Sequence, residues 1–120
     1  SFGRSSAYLL WRGLQANDGL PADTRILACN TGKENAASLR FGARISKEWG
    51  VPITLLEYRD GGAFEVVTFD TASLNGEPFD AVIRQRGGVL PNPVSRFCSS
   101  EMKTRTMSKR WRVTMATGFR

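Results

Sequence analysis

Thr24 to Tyr58, TRILACNTGKENAASLRFGARISKEWGVPITLLEY, is the stretch that decides the fold. Thr24–Cys29 is a short continuous apolar run, as expected of a strand covered on both faces of a parallel sheet. Asn30–Asn35 is a polar loop containing one glycine. Ala37, Phe41, Ile45 and Trp49 then recur every fourth residue, which predicts a helix, and Gly50 and Pro52 stop it. Ile53–Tyr58 is a second apolar strand. Strand, helix and strand joined by short polar loops predict a right-handed crossover between parallel strands.

The pattern extends in both directions. Upstream, Ala7, Leu10, Trp11 and Leu14 stand at i, i+3, i+4 and i+7, which predicts a first helix ended by the turn Asn17–Pro21. Ser1–Ser6 (SFGRSS) precedes it and has two readings. Its serines serve as an ordinary N-cap, or the turn and the helix's positive end form an anion site. Downstream, Asp60–Gly62 is a turn, Phe64–Phe69 an edge strand, and Thr71–Gly76 a loop. A short helix starts at Glu77 or Pro78 and stops at Gly87–Gly88. Leu90–Cys98 is a proline-bearing loop, after which Ser99 or Ser100 caps a third long helix running to about Arg110. Val113–Ala116 reads as a last strand, and Thr117–Arg120 as a loop. Together these predict one α/β domain over residues 1–120, with a mostly parallel sheet and flanking helices. A phosphate loop in such a sheet follows a strand, and none precedes Ser1, so the sequence reads as a fragment or as a version whose first strand is missing.

Composition narrows the chemistry. With no histidine among 120 residues, a Ser–His–Asp triad, a His-activated cysteine and a His-ligated zinc are all excluded within the chain. The two cysteines, Cys29 and Cys98, make no disulfide framework, and no apolar run approaches twenty residues, so a cytoplasmic protein without a membrane partner is expected. Seven of the 17 basic residues (Arg96, Lys103, Arg105, Lys109, Arg110, Arg112 and Arg120) lie from Arg96 onward, against Glu101 as the single acid there. This block carries the net charge of +6 and suggests an anionic partner, whether phosphate, sulfate or nucleic acid, or else a solvated basic helix face.

Four motifs, in order, carry a family resemblance. Ser1-Phe2-Gly3-Arg4-Ser5-Ser6 resembles the pyrophosphate loop S-G-G-x-[DST]-S of the adenine nucleotide α-hydrolase (PP-loop ATP pyrophosphatase) superfamily. Asn30-Thr31-Gly32-Lys33-Glu34 is similar to its N/D-T-G-x-E loop, and Leu90–Pro93 through Arg96-Phe97-Cys98 and Lys103 to the C-x(4)-K segment of its phosphoadenosine phosphosulfate (PAPS) reductase branch. Gly118-Phe119-Arg120 resembles the start of the G-[IF]-R-x-[DE] loop. The style is that of the PAPS-reductase-like proteins of bacteriophages. Phe2 stands where the family has the first glycine, Ser5 where many relatives carry aspartate, and Thr106 where reductases often have proline.

The resemblance implies a Rossmann-like sheet binding ATP or a PAPS-type adenine nucleotide, with sulfonucleotide or nucleotidyl transfer as the reaction. Ser1, Gly3, Arg4, Ser5 and Ser6 would hold the phosphates; Ala28, Cys29 and Asn30 would border the adenosine, and Arg96, Lys103 and Arg120 would face the anionic end, with Thr31, Gly32 and Gly118 also among the nucleotide-binding residues. Arg4, Lys103 and Cys98 are the candidate catalytic groups, with a thiol electron donor as partner. Glu34 suits either a magnesium ion or ribose hydroxyl, or the first turn of a helix. Cys98 is either a reactive thiol beside arginines or an inert one near a turn, and Cys29 is structural. With two cysteines no iron–sulfur cluster fits within the chain. The tryptophans Trp11, Trp49 and Trp111 are expected in core or helix-packing positions. Two other functions compete: a nucleotide- or partner-binding protein that keeps the fold without turnover, and a nucleic-acid-binding module using residues 96–120.

Overall fold

A computed structural model describes residues 3–33 and 35–117. Helix α1 (Arg4–Ala16) leads to strand β1 (Ile26–Asn30), helix α2 (Ala36–Trp49) and strand β2 (Ile53–Arg59). A 3-10 turn (Asp60–Gly62), strand β3 (Ala63–Val67) and helix α3 (Glu77–Gln85) follow. The described chain ends in α4 (Phe97–Ser99), a π-helical segment (Ser100–Arg105) and α5 (Thr106–Thr117). It is a small α/β fold with a three-stranded sheet ordered β1-β2-β3 and helices on both faces.

The strand–helix–strand unit forms as its residue pattern predicts. β1 and β2 pair in parallel, Ile26 opposite Ile53 and Asn30 opposite Glu57. Asn35 caps α2 by accepting a 2.9 Å hydrogen bond from the Ala37 N–H. Gly50 ends the helix in the left-handed conformation (φ 63°), which a residue without Cβ adopts at little cost.

Ala28, Leu39 and Leu55 bury together on the α2 side, with Ile53 and Val67 packed against them. On the opposite face Tyr58, Ala81, Val82, Phe97 and Met102 form the second cluster. Arg86 lies 5.0 Å from the centre of the Phe97 ring and pairs with Glu101 at 2.9 Å, so the loop between α3 and α4 is fastened at both ends.

Four features differ from the sequence-based expectation. The sheet is mixed, not mostly parallel, because β2 and β3 are joined through Gly61 and Gly62, both at positive φ, and so tight a connection allows only antiparallel pairing. The last helix begins at Phe97, ahead of Ser99 and Ser100, with Arg96 at its N-cap and no side-chain cap. Burial of Phe97 and Met102 under α3 decides where it starts.

Val113–Ala116 is helical, the end of α5. Met102, Thr106 and Thr114 are all buried at spacings of whole helical turns, and that tertiary face overrides the β-branched local preference. Val113→Pro is therefore expected to lower stability by about 3 kcal/mol, since Val113 sits in a helix interior with its side chain exposed. A urea unfolding midpoint measures this, and an unchanged midpoint would contradict the helix.

The fourth difference is partial, since core is one of the two places expected for the tryptophans and Trp11 and Trp49 do stand between α1 and α2. None of the three tryptophans joins the core: Trp49 is half-buried, and Trp11 and Trp111 are exposed. Helix α1 itself buries no residue completely.

Candidate functional site

The carboxyl ends of β1 and β2 are tied together by a buried carboxylate. Asn30 and Glu57 are register partners, so both side chains project from the α2 face of the sheet. Glu57 is 1% exposed and accepts four hydrogen bonds. Its Oε2 takes the Asn30 amide at 2.6 Å and the Ser73 N–H at 2.7 Å. Its Oε1 takes the Ser73 hydroxyl at 2.9 Å and the Arg59 guanidinium at 3.1 Å. Burial alone would raise this carboxyl's pKa; the donors from Ser73, Asn30 and Arg59 together outweigh it and hold the group below its ordinary value. Glu57 is thus a filled acceptor, an anchor and not a proton carrier.

The same anchor shapes the Asn30–Gly32 loop. The Asn30 amide also donates to the Ser73 carbonyl at 2.9 Å, while its Oδ1 accepts from the Gly32 N–H at 3.1 Å. The Thr31 carbonyl accepts from the Phe79 N–H at 3.1 Å, and its hydroxyl accepts from the Lys33 N–H at 3.2 Å. The first turn of α3 therefore has a protein partner. Gly32 (φ 80°) lies so close that an added Cβ would come within 2.7 Å of the Gly76 Cα. Asn30, Thr31 and Gly32 are all buried, so their place in the fold is scaffold at the strand ends.

Gly3, Arg4, Ser5 and Ser6 lie apart from this anchor, exposed at the start of α1. Gly3 is the N-cap, in an extended conformation and without a side-chain cap, so the serine-capped alternative does not form among the described residues. Arg4, Ser5 and Ser6 occupy the first helical turn, where backbone N–H groups and the helix dipole favour an anion. A cleft of about 240 Å³ places Gly3 and Ser6 against Ala28 of β1 and Gly42 of α2, where the small residues leave room.

The remaining predicted residues sit across the sheet. Arg96 is exposed at the N-cap of α4. Cys98 is half-buried against the Tyr58–Phe97 cluster. Lys103 lies in the π-helical segment, and its carbonyl accepts from the Cys29 thiol at 3.6 Å, which brings its backbone to the carboxyl end of β1. Ser1, Phe2, Glu34, Gly118, Phe119 and Arg120 lie outside the described residues. Among the described residues no group of three or more Cys, Asp or Glu side chains could hold a metal ion, and no helix is long and apolar enough to cross a membrane.

Glu57, Ser73 and Arg59 are the polar residues that sequence reasoning missed. The available signal was one charged residue inside the apolar run Ile53–Tyr58. Comparison with known proteins adds no identity: no family model, no curated protein and no solved structure matches the chain.

Proposed function

We propose that the chain is an adenine-nucleotide-binding protein with a Rossmann-like arrangement similar to the PAPS reductases, its phosphate site at the start of α1. The observation that carries this reading is the opening of α1 at an extended Gly3 with no side-chain cap, in a cleft shared with β1. The positive helix end, the Arg4 guanidinium and the hydroxyls of Ser5 and Ser6 supply the chemistry that phosphate needs. If turnover follows, it is sulfonucleotide or nucleotidyl transfer driven by positioning and charge, with Lys103, on the other face, as a candidate cation. Binding without turnover is the second reading. The internal commitment of Glu57 and Asn30 favours it, since their hydrogen bonds are spent within the fold and neither side chain is free to meet a nucleotide.

Thermal melting with ATP, PAPS or single-stranded DNA tests the proposal. A nucleotide at a hundred times its dissociation constant should stabilise the fold by about 2.7 kcal/mol, and Gly3→Val should abolish the shift. No shift with either nucleotide would sink the reading, and a shift with DNA alone would favour the nucleic-acid alternative. A shift with ATP and no pyrophosphate release would identify a binding protein.

A further inference from the structure

Helix α1 carries an apolar face that the sheet does not cover. Tyr8 is 59% exposed and Trp11 42% exposed, although the two rings stack with centroids 6.1 Å apart. Opposite them stands α2 with Phe41 and Trp49, and between the helices runs a cleft of about 370 Å³. That volume lies in the range of small-molecule sites, and aromatic rings form walls on both sides. Among the described residues, Arg4 and Arg44 also line the cleft, against a single acid, Glu48. Glu48 is already paired with Arg44 at 2.9 Å, and Arg4 makes no ion pair among the described residues. The cleft therefore combines flat apolar walls with a surplus of positive charge.

We propose that this cleft binds a small aromatic anion: a fused or substituted ring carrying one carboxylate, sulfonate or phosphate. The ring would lie between Tyr8 and Trp11 on one side and Phe41 and Trp49 on the other, and its acidic group would meet Arg4 and Arg44. Guanidinium suits this task because it both stacks on rings and holds an anion through paired N–H donors. The site adjoins the phosphate site proposed above and shares Arg4 with it. It lies between α1 and α2, and it uses Arg44 and Trp49, which have no part in nucleotide binding.

The test is a tryptophan-fluorescence titration with naphthalene-1-sulfonate, with the uncharged naphthalene-1-methanol as comparison. Saturable quenching is expected for both, with the sulfonate binding roughly tenfold tighter. Trp49→Phe should remove a large share of the quenching and so place the probe. Arg44→Gln should bring the sulfonate affinity to within about threefold of the alcohol, weakening the alcohol far less than the sulfonate and leaving the melting temperature unchanged. Equal affinities in the parent protein, a sulfonate preference that survives Arg44→Gln combined with Arg4→Gln, or no saturable quenching would each overturn the proposal. The probe carries no phosphate, and its binding should persist in Gly3→Val. Failure here therefore leaves the nucleotide reading standing, and failure of the nucleotide reading leaves this site standing.

Discussion

Glu57→Gln is expected to destabilise the protein by about 3 kcal/mol at neutral pH, on the order of 10 °C in Tm. The buried carboxylate accepts from four donors, and an amide in its place must turn its NH₂ toward two of them. At least two donors from Asn30, Ser73 and Arg59 then lose their acceptor inside the protein, and each stranded group costs about 1–3 kcal/mol. Arg59→Gln should cost far less, because its side chain is 37% exposed and its ion pair with Glu65 faces solvent.

The pH dependence has a definite sign. The folded carboxyl lies below its ordinary value near 4.5, so its contribution is fully present above that value and is lost as pH falls through the folded one. The stability gap between wild type and Glu57→Gln should narrow below about pH 4.5. Urea unfolding at pH 7 and pH 3.5 measures both effects. A gap that stays constant, or one that widens in acid, would show that Glu57 does not anchor the strand ends as an anion.

Gly32→Ala is the second large effect, expected at about 3–4 kcal/mol. A left-handed alanine costs about 1–2 kcal/mol. The remainder comes from contact: the new Cβ would sit 2.7 Å from the Gly76 Cα and 2.8 Å from its N, backbone atoms that cannot swing aside. Either the loop or the first turn of α3 must move, and the Thr31–Phe79 hydrogen bond is then lost, at about 1 kcal/mol. Gly50→Ala is the control. Gly50 is also left-handed, at φ 63°, but nothing lies within 4 Å of its added Cβ, so only the backbone cost of about 1–2 kcal/mol remains. Equal losses at the two positions would show that the loop and α3 do not touch.

The strand–helix–strand unit was legible because its signals are local. Apolar runs, a four-residue periodicity and Gly50 sit within 35 residues of chain, and neighbouring residues alone specify β1, α2 and β2. The short helix at Glu77 and the turn at Asp60–Gly62 were legible for the same reason. Val113–Ala116 was misread because four residues are too few to separate a buried strand from a helix turn. The anchor at Glu57 was invisible for a different reason. Its partners Asn30 and Ser73 lie 27 and 16 residues away, and no local pattern marks a polar residue as satisfied at that distance. The tryptophans illustrate a third limit. Their spacing placed them on helices correctly, but which helix face meets the sheet depends on what else fills the space.

By itself, then, the sequence determined the α/β class, the parallel pairing of β1 with β2 and the positions of its turns, because periodicity and turn chemistry act over a few residues. The tertiary structure decided that the sheet is mixed, that the chain from Phe97 to Thr117 is helical throughout, and that Asn30, Thr31 and Gly32 are scaffold around a buried Glu57. It also decided that the aromatic residues of α1 and α2 line a cleft. Each of these rests on contacts between distant segments, where burial and hydrogen-bond satisfaction outweigh local preference.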